Sequence, residues 1–98
     1  MLAAFSVTPL GAGESVGERV AEAVRIVRAS GLPSETNAMF TNVEGEWDEV
    51  RPVIRACVDK AAEAAPRVTV TIKLDWRPGQ PAGRLGRDVE SVERRLSR

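Results

Sequence analysis

The stretch "RVTVTIKLDW", Arg67 to Trp76, decides the fold because it is the clearest β-strand in the chain. Apolar and polar side chains alternate along it with the two-residue period of a strand that has one buried and one outward face. The inward set is Val68, Val70, Ile72 and Leu74, and the outward set is Thr69, Thr71, Lys73 and Asp75.

An amphipathic helix precedes this strand. Its apolar residues repeat at three- and four-residue spacing, which predicts one buried stripe. The stripe consists of Val50, Ile54, Cys57, Val58 and Ala61. If Asp48 is the N-cap, Pro52 lies in the first turn, where a missing N–H costs little. Pro66 then ends the helix before the strand begins.

The segment "TNVEGEW", Thr41 to Trp47, joins another strand to this helix. As structure, Gly45 relaxes the backbone at the strand end, and Glu46 lies favourably at the positive end of the helix dipole. As a binding loop, Glu44 could hold an amine or a cation, with Trp47 or Trp76 supplying a ring face. The residues alone leave both interpretations open.

The chain begins with a predicted strand, Leu2 to Pro9, in which Ala3, Phe5 and Val7 face one way and Ala4, Ser6 and Thr8 the other. Between Ser34 and Val43 we expect two short strands joined by a tight turn. Their alternation is too poor to tell whether Phe40, or Met39 and Thr41, faces the core.

The first helix follows the first strand. Ser15 and Glu18 have the spacing of a capping box, and Gly31 is placed to end the helix in the left-handed conformation. Its predicted stripe consists of Val16, Val20, Ala23, Val24 and Val27.

The order strand, helix, strand, strand, helix, strand predicts an α+β fold, a ferredoxin-like βαββαβ sandwich formed by a single domain, residues 1–98. A C-terminal helix follows from Leu85 to Leu96, with Val89 and Val92 completing its apolar stripe. This stripe needs a surface to cover it, so we expect a homo-oligomer with a dimer as the minimum.

Composition excludes several classes of function. Fourteen basic and fourteen acidic residues give no net charge, which disfavours nucleic acid and anionic membranes as partners. The chain has no histidine and one cysteine, so a metal site and an internal disulfide are not expected. The N-terminus resembles neither a signal peptide nor a membrane span, and we expect a cytoplasmic protein.

The residues offer little for catalysis. The usual bases are missing, and Cys57 lies on an apolar helix stripe, where a thiol acts as a small hydrophobic group. The segment "GAGESVGER" has a loose likeness to the phosphate loop of acylphosphatase-like enzymes, with Arg19 as its arginine, but it lacks the characteristic pattern of that loop. We therefore expect no enzyme and no cofactor. RNA binding on the sheet is disfavoured, because its outward face carries hydroxyls rather than the aromatic residues that stack on bases.

Several phrases together resemble the small thiamine-binding-like protein family, formerly a domain of unknown function. They span almost the whole chain and are "SVTPLGAG", "SGL", "TNVEGEWDEV", "RVTVTIKLDWRPG" and "DVESVERRL". The resemblance implies a ferredoxin-like protomer that assembles through its sheets into homodimers or homotetramers. It also implies a pocket near the subunit junction for thiamine or a related hydroxymethylpyrimidine.

By the same resemblance, the ligand contacts fall on the first strand and on the segment that leads to the V-E-G-E phrase. Hydroxyls, an amide and a carboxylate suit an aminopyrimidine, and an aromatic ring suits the thiazolium. The predicted ligand-binding residues are Ser6, Asn37, Met39, Phe40, Thr41 and Glu44. The leading hypothesis is a non-enzymatic protein that sequesters or senses this ligand, and the alternative is an oligomerisation module with no small-molecule ligand.

Overall fold

The helices and strands follow the order that the sequence predicts. The computed structural model describes residues 1–11, 16–37, 39–79 and 95–96. In chain order, the elements are β1 (Leu2–Leu10), α1 (Val16–Ala29), β2 (Ser34–Thr36), β3 (Thr41–Glu44), α2 (Trp47–Ala62) and β4 (Arg67–Asp75). The four strands form one antiparallel sheet in the order β2-β3-β1-β4. This is the ferredoxin-like α+β arrangement, so the predicted fold class is confirmed.

Strand register assigns each residue to one side of the sheet. On β1, Phe5 lies opposite Thr41 of β3 and Ile72 of β4, and Ala3 lies opposite Val43 and Leu74. Directly opposite residues share a face, so these residues all point to the side that the helices cover. We call this the helix-facing side and the other the open side. The predicted facing of β1 and β4 is confirmed, and Thr41 is assigned to the helix-facing side.

The core lies between the helices and the two central strands. Ala3, Phe5 and Val43 of the sheet are almost fully buried there. The helices contribute Val27, Val50, Val53, Ile54, Cys57 and Ala61. The stripe predicted for α2 is therefore confirmed, and Val53 extends it.

The stripe predicted for α1 is wrong at Val20, which is 51% exposed. Ile26 packs against the core instead, beside Ala23 and Val27. Among the described side chains of α1, those packed in or against the core are Ala23, Ile26 and Val27, and the helix contacts α2 and β2.

The predicted start of α2 is also wrong. Glu46, not Asp48, is the N-cap, and its N–H donates to Glu49 Oε1 at 3.0 Å. Pro52 is consequently the sixth residue of α2 and lies beyond the first turn. It has no N–H to return to the carbonyl of Asp48, so the helix forms with one internal hydrogen bond fewer.

Two glycines are required for different reasons. Gly31 ends α1 with φ +76°, as the sequence predicts. Gly45 does not have positive φ, and it is needed for space. A Cβ at this position would lie 3.3 Å from Leu32 Cδ2 and 3.4 Å from Val50 Cγ2.

Some predictions fall outside the described residues. These include Ser15 of the capping box and most of the C-terminal helix predicted from Leu85 to Leu96. Arg95 and Leu96 are described and are helical, and Leu96 is 77% exposed. Within the described part of the chain, no helix has both the length and the apolar character that crossing a membrane requires.

Candidate ligand-binding site

The open side of the sheet carries a group of hydroxyls on its two longest strands. Ser6 of β1 lies opposite Thr71 of β4, and Thr8 lies opposite Thr69. Side chains directly opposite one another on an antiparallel pair have Cβ atoms about 5 Å apart. The hydroxyls of Ser6 and Thr71 can therefore reach the same small polar group.

The turn between β2 and β3 is organised by Asn37. Its Oδ1 accepts hydrogen bonds from the N–H groups of Met39 and Phe40, both at 2.9 Å. Its own N–H donates to the carbonyl of Phe40 at 3.0 Å, which continues the β2–β3 ladder by one pair. The hydrogen bonds of the turn thus use the side-chain oxygen of Asn37. The remaining polar atom of this side chain is its amide nitrogen, Nδ2.

Phe40 directly precedes β3. The β1–β3 register ends at Phe5 opposite Thr41, and its continuation by one residue would place Phe40 opposite Ser6 on the open side. Phe40 is half-buried. We call Phe40, Ser6 and Thr71 the Ser6 row. With the register continued in this way, an aromatic ring would lie beside two hydroxyls, a combination that suits a small heteroaromatic ligand.

The next row along the open side has a small centre. Ala4 lies between Asn42 of β3 and Lys73 of β4, and Glu35 of β2 lies beyond Asn42. Asn42 Nδ2 donates to the carbonyl of Glu35 at 3.4 Å. Ala4 thus carries the smallest side chain of this row, which lies next to the Ser6 row.

Glu44 lies at the far end of the open side. It shares a row with Leu2 and Asp75, four residues from Ser6 along β1, or about 13 Å at the rise of a strand. Glu44 is buried, with 3% of its surface exposed, and its N–H donates to the carbonyl of Pro33 at 2.9 Å. Its carboxylate is therefore too distant to contact a group held between Ser6 and Thr71.

The predicted binding residues thus divide into separate groups. Ser6, Phe40 and the Asn37 turn lie together, and Glu44 lies at the opposite end. Thr41 points to the helix-facing side, and Met39 is 74% exposed in the turn. The predicted set omitted Thr71. The alternation of β4 assigns Thr71 to the open side, but only the register between β1 and β4 places it next to Ser6.

Charges on the open side slightly favour a cation. Strand alternation assigns Arg67 and Lys73 to this side, together with Glu35, Glu44 and Asp75. Among these paired strand residues, the acidic ones exceed the basic ones by one. Among the described residues, no group of three histidine, cysteine or carboxylate side chains is arranged to hold a metal ion.

The cysteine does not contribute to this surface. Cys57 is buried in the core, and its burial raises the pKa of the thiol from 9.0 to about 11. The group therefore stays protonated at neutral pH, and a thiol is a poor nucleophile compared with a thiolate.

A second surface lies on the helix-facing side. It is an apolar groove of about 290 Å³ between α2 and β4. The groove is lined by Trp47, Arg51, Ile54, Arg55, Val58, Val70 and Ile72. Because Trp47 lies here, its ring is on the opposite side of the sheet from the Ser6 row. Trp76 follows β4 and is 67% exposed.

Comparisons with known proteins identify relatives of the whole chain. Residues 3–93 match the family described as thiamine-binding proteins. The UPF0045 protein Mb1933 of Mycobacterium bovis is 54% identical over 99 residues, which cover 100% of this chain and 96% of that protein. The UPF0045 protein sll0230 of Synechocystis is 39% identical and covers 89% of this chain and 72% of that protein.

Solved structures share the fold. The crystal structure of protein MJ1052 from Methanocaldococcus jannaschii matches with a TM-score of 0.83 and 29% identity, covering 94% of each chain. A candidate thiamine biosynthesis/salvage protein of Thermotoga maritima, TM0486, matches with a TM-score of 0.79 and 19% identity, covering 93% of this chain and 96% of that chain. Nearly the full length of the chain is thus accounted for by one family, and the chain belongs to the thiamine-binding protein family.

Proposed function

We propose that this protein binds thiamine or a related hydroxymethylpyrimidine without catalysis, at the junction between subunits of a homo-oligomer, and that it sequesters or senses this ligand. The observation that carries the proposal is the Ser6 row, in a chain of the thiamine-binding protein family. Phe40 offers a face for the pyrimidine, and the hydroxyls of Ser6 and Thr71 offer hydrogen bonds to its nitrogen atoms.

The size and charge of the open side support the same ligand. Thiamine joins an aminopyrimidine to a cationic thiazolium ring. A pyrimidine on the Ser6 row would place the second ring over Ala4, where the side chain is small. The carboxylates of Glu44 and Asp75 at that end would favour the positive charge.

The same residues support binding without catalysis. The chain has no histidine, and the thiol of Cys57 is buried with a raised pKa. The Ser6 hydroxyl has no imidazole to activate it, and an unactivated serine is a weak nucleophile. The open side therefore has groups for recognition and lacks an activated nucleophile among the described residues.

Isothermal titration with thiamine and with hydroxymethylpyrimidine tests the proposal. We expect saturable binding by the wild type, and weakening of roughly three- to tenfold in Thr71→Val, because one hydrogen bond contributes about 1 kcal/mol. Ser6→Ala should have a similar effect. Thr36→Val makes the matched change on the helix-facing side of β2 and should leave the affinity unchanged.

The alternative is an oligomerisation module without a small-molecule ligand. The exposed apolar residues of β4 favour it, because such residues usually mark a protein contact. No heat and no thermal shift with either compound up to millimolar concentration, in a protein that sediments as an oligomer, would select this alternative.

A further inference from the structure

The groove between α2 and β4 lies on the helix-facing side, so the sheet itself separates it from the Ser6 row. Its least exposed lining side chain is Ile54 of α2, at 6%. Val58 of α2 and Val70 and Ile72 of β4 add further branched aliphatic surface. The volume of about 290 Å³ is close to the lower limit of about 300 Å³ for small-molecule pockets. The groove is therefore of a size for one small ligand.

One edge of α2 faces the groove. Trp47, Ile54 and Val58 recur along this edge at helical spacing, and Arg51 and Arg55 lie between them. Trp47 is the first residue of the helix and is 45% exposed, so part of its ring is accessible to a ligand. This edge of α2 thus combines an apolar strip with two guanidinium groups.

The charge at the groove is positive, because both charged residues that line it are arginines. Arg55 Nε donates to the two carboxylate oxygens of Asp59 at 3.0 and 3.1 Å, which balances its charge. Arg51 is exposed and forms neither an ion pair nor a hydrogen bond within the described part of the chain. The acidic residues of the first turn, Asp48 and Glu49, do not line the groove. The charge of Arg51 is therefore available to a ligand.

We propose that this groove binds a small carboxylate with an aliphatic body. The body would lie against the branched side chains of α2 and β4, and the carboxylate would accept hydrogen bonds from the guanidinium of Arg51. A guanidinium presents parallel N–H donors that match the two oxygens of a carboxylate. This inference goes beyond the proposed function, because it adds a second ligand at a site that shares no residue with the Ser6 row.

Charge complementarity distinguishes this ligand from thiamine. The groove carries two arginines and no carboxylate among its lining residues, so a cationic thiazolium would be repelled there. The open side has the opposite bias, because acidic residues exceed basic ones among its paired strand residues. The two sides of the sheet would thus select ligands of opposite charge.

Titration with octanoate tests the proposal. The chain has two tryptophans, so Trp76→Phe leaves Trp47 as the only fluorescent reporter at the groove. We expect a saturable change of its emission with a Kd of about 0.1–1 mM, since the ligand is small. Octanol should bind roughly three- to tenfold more weakly because it lacks the charge, and octylammonium should not bind.

Two variants separate the charge from the apolar surface. Arg51→Gln should weaken octanoate binding roughly three- to tenfold and leave octanol binding unchanged, because only the anion uses the guanidinium. Arg25→Gln makes the matched change on the exposed face of α1 and should alter neither. Ile72→Glu places a carboxylate in the groove and should abolish octanoate binding, while thiamine binding on the open side stays unchanged.

Several results would overturn the proposal. Equal affinity for octanoate and octanol, or no effect of Arg51→Gln on octanoate, would show that the groove does not recognise the anion. Displacement of octanoate by thiamine would show that the two ligands share one site. An unchanged Trp47 emission at millimolar octanoate would show that the groove is not a ligand site. If acrylamide then failed to quench Trp47, a second copy or the chain's own C-terminal segment would be the occupant of the groove.

Discussion

β1 and β4 carry the same alternating pattern and lie side by side, yet their apolar residues have different environments. Phe5 of β1 is 2% exposed, and Ile72, directly opposite on β4, is 45% exposed. The difference comes from position in the sheet, because β1 is central and β4 is an edge. Alternation predicts the direction in which a side chain points, whereas its burial depends on what packs next to the strand.

The largest effect that tests this contrast is expected from Phe5→Ala. Removing an almost fully buried aromatic ring should lower the free energy of unfolding by about 3–5 kcal/mol. Urea denaturation followed by tryptophan fluorescence measures the change. A loss below about 1 kcal/mol would show that the core over β1 is not packed as described.

A second test concerns how well the core over β1 excludes water. Burial raises the pKa of Cys57 in the folded protein to about 11, against 9.0 when unfolded. The unfolded thiol therefore releases its proton first as pH rises. The protonated thiol therefore contributes its full stabilisation of the folded protein below pH 9. Between pH 9 and about 11 this contribution is lost, and the free energy of unfolding falls by up to about 2–3 kcal/mol.

Cys57→Ala checks this pH dependence, because the variant lacks the titrating group. Its stability should fall less steeply than that of the wild type between pH 9 and pH 11, although it is lower at neutral pH. Identical slopes would mean that the thiol is accessible to water in the folded protein.

The smallest effect is expected from Ile72→Ala. Almost half of this side chain is exposed in the protomer, so its truncation should cost about 1 kcal/mol or less in dilute protein. If the exposed apolar face of β4 is covered in a homo-oligomer, the cost should increase with protein concentration, because the wild type gains stability from assembly. A cost equal to that of Phe5→Ala in dilute protein would contradict the contrast between the two strands.

The sequence predicts the fold more completely than the site. Element order, the facing of β1 and β4, and the stripe of α2 all follow from periodicity. The N-cap of α2 is misplaced at Asp48 because acidic residues occur at positions 44, 46, 48 and 49, and pattern alone does not separate them. The structure identifies Glu46 by its extended backbone and by the hydrogen bond from its N–H to Glu49. Val20 is misassigned because a helical stripe does not indicate which of its residues the neighbouring elements cover.

The candidate site depends on register, which a single sequence does not encode in any local pattern. Ser6 and Thr71 are 65 positions apart in the chain, and the pairing of β1 with β4 brings them together. Similarly, Thr41 and Glu44 are close in sequence to Phe40. Thr41 lies on the helix-facing side of the sheet, and Glu44 lies at the far end of the open side. Chain proximity therefore grouped residues that the sheet separates.

A crystal structure of the protein grown with thiamine tests the central claim most directly. We predict the pyrimidine ring on the open side, next to Phe40, with ring or amino nitrogen atoms about 2.7–3.2 Å from Ser6 Oγ and Thr71 Oγ1. Thiamine bound only in the groove between α2 and β4, or an open side without ligand at saturating concentration, would contradict the account.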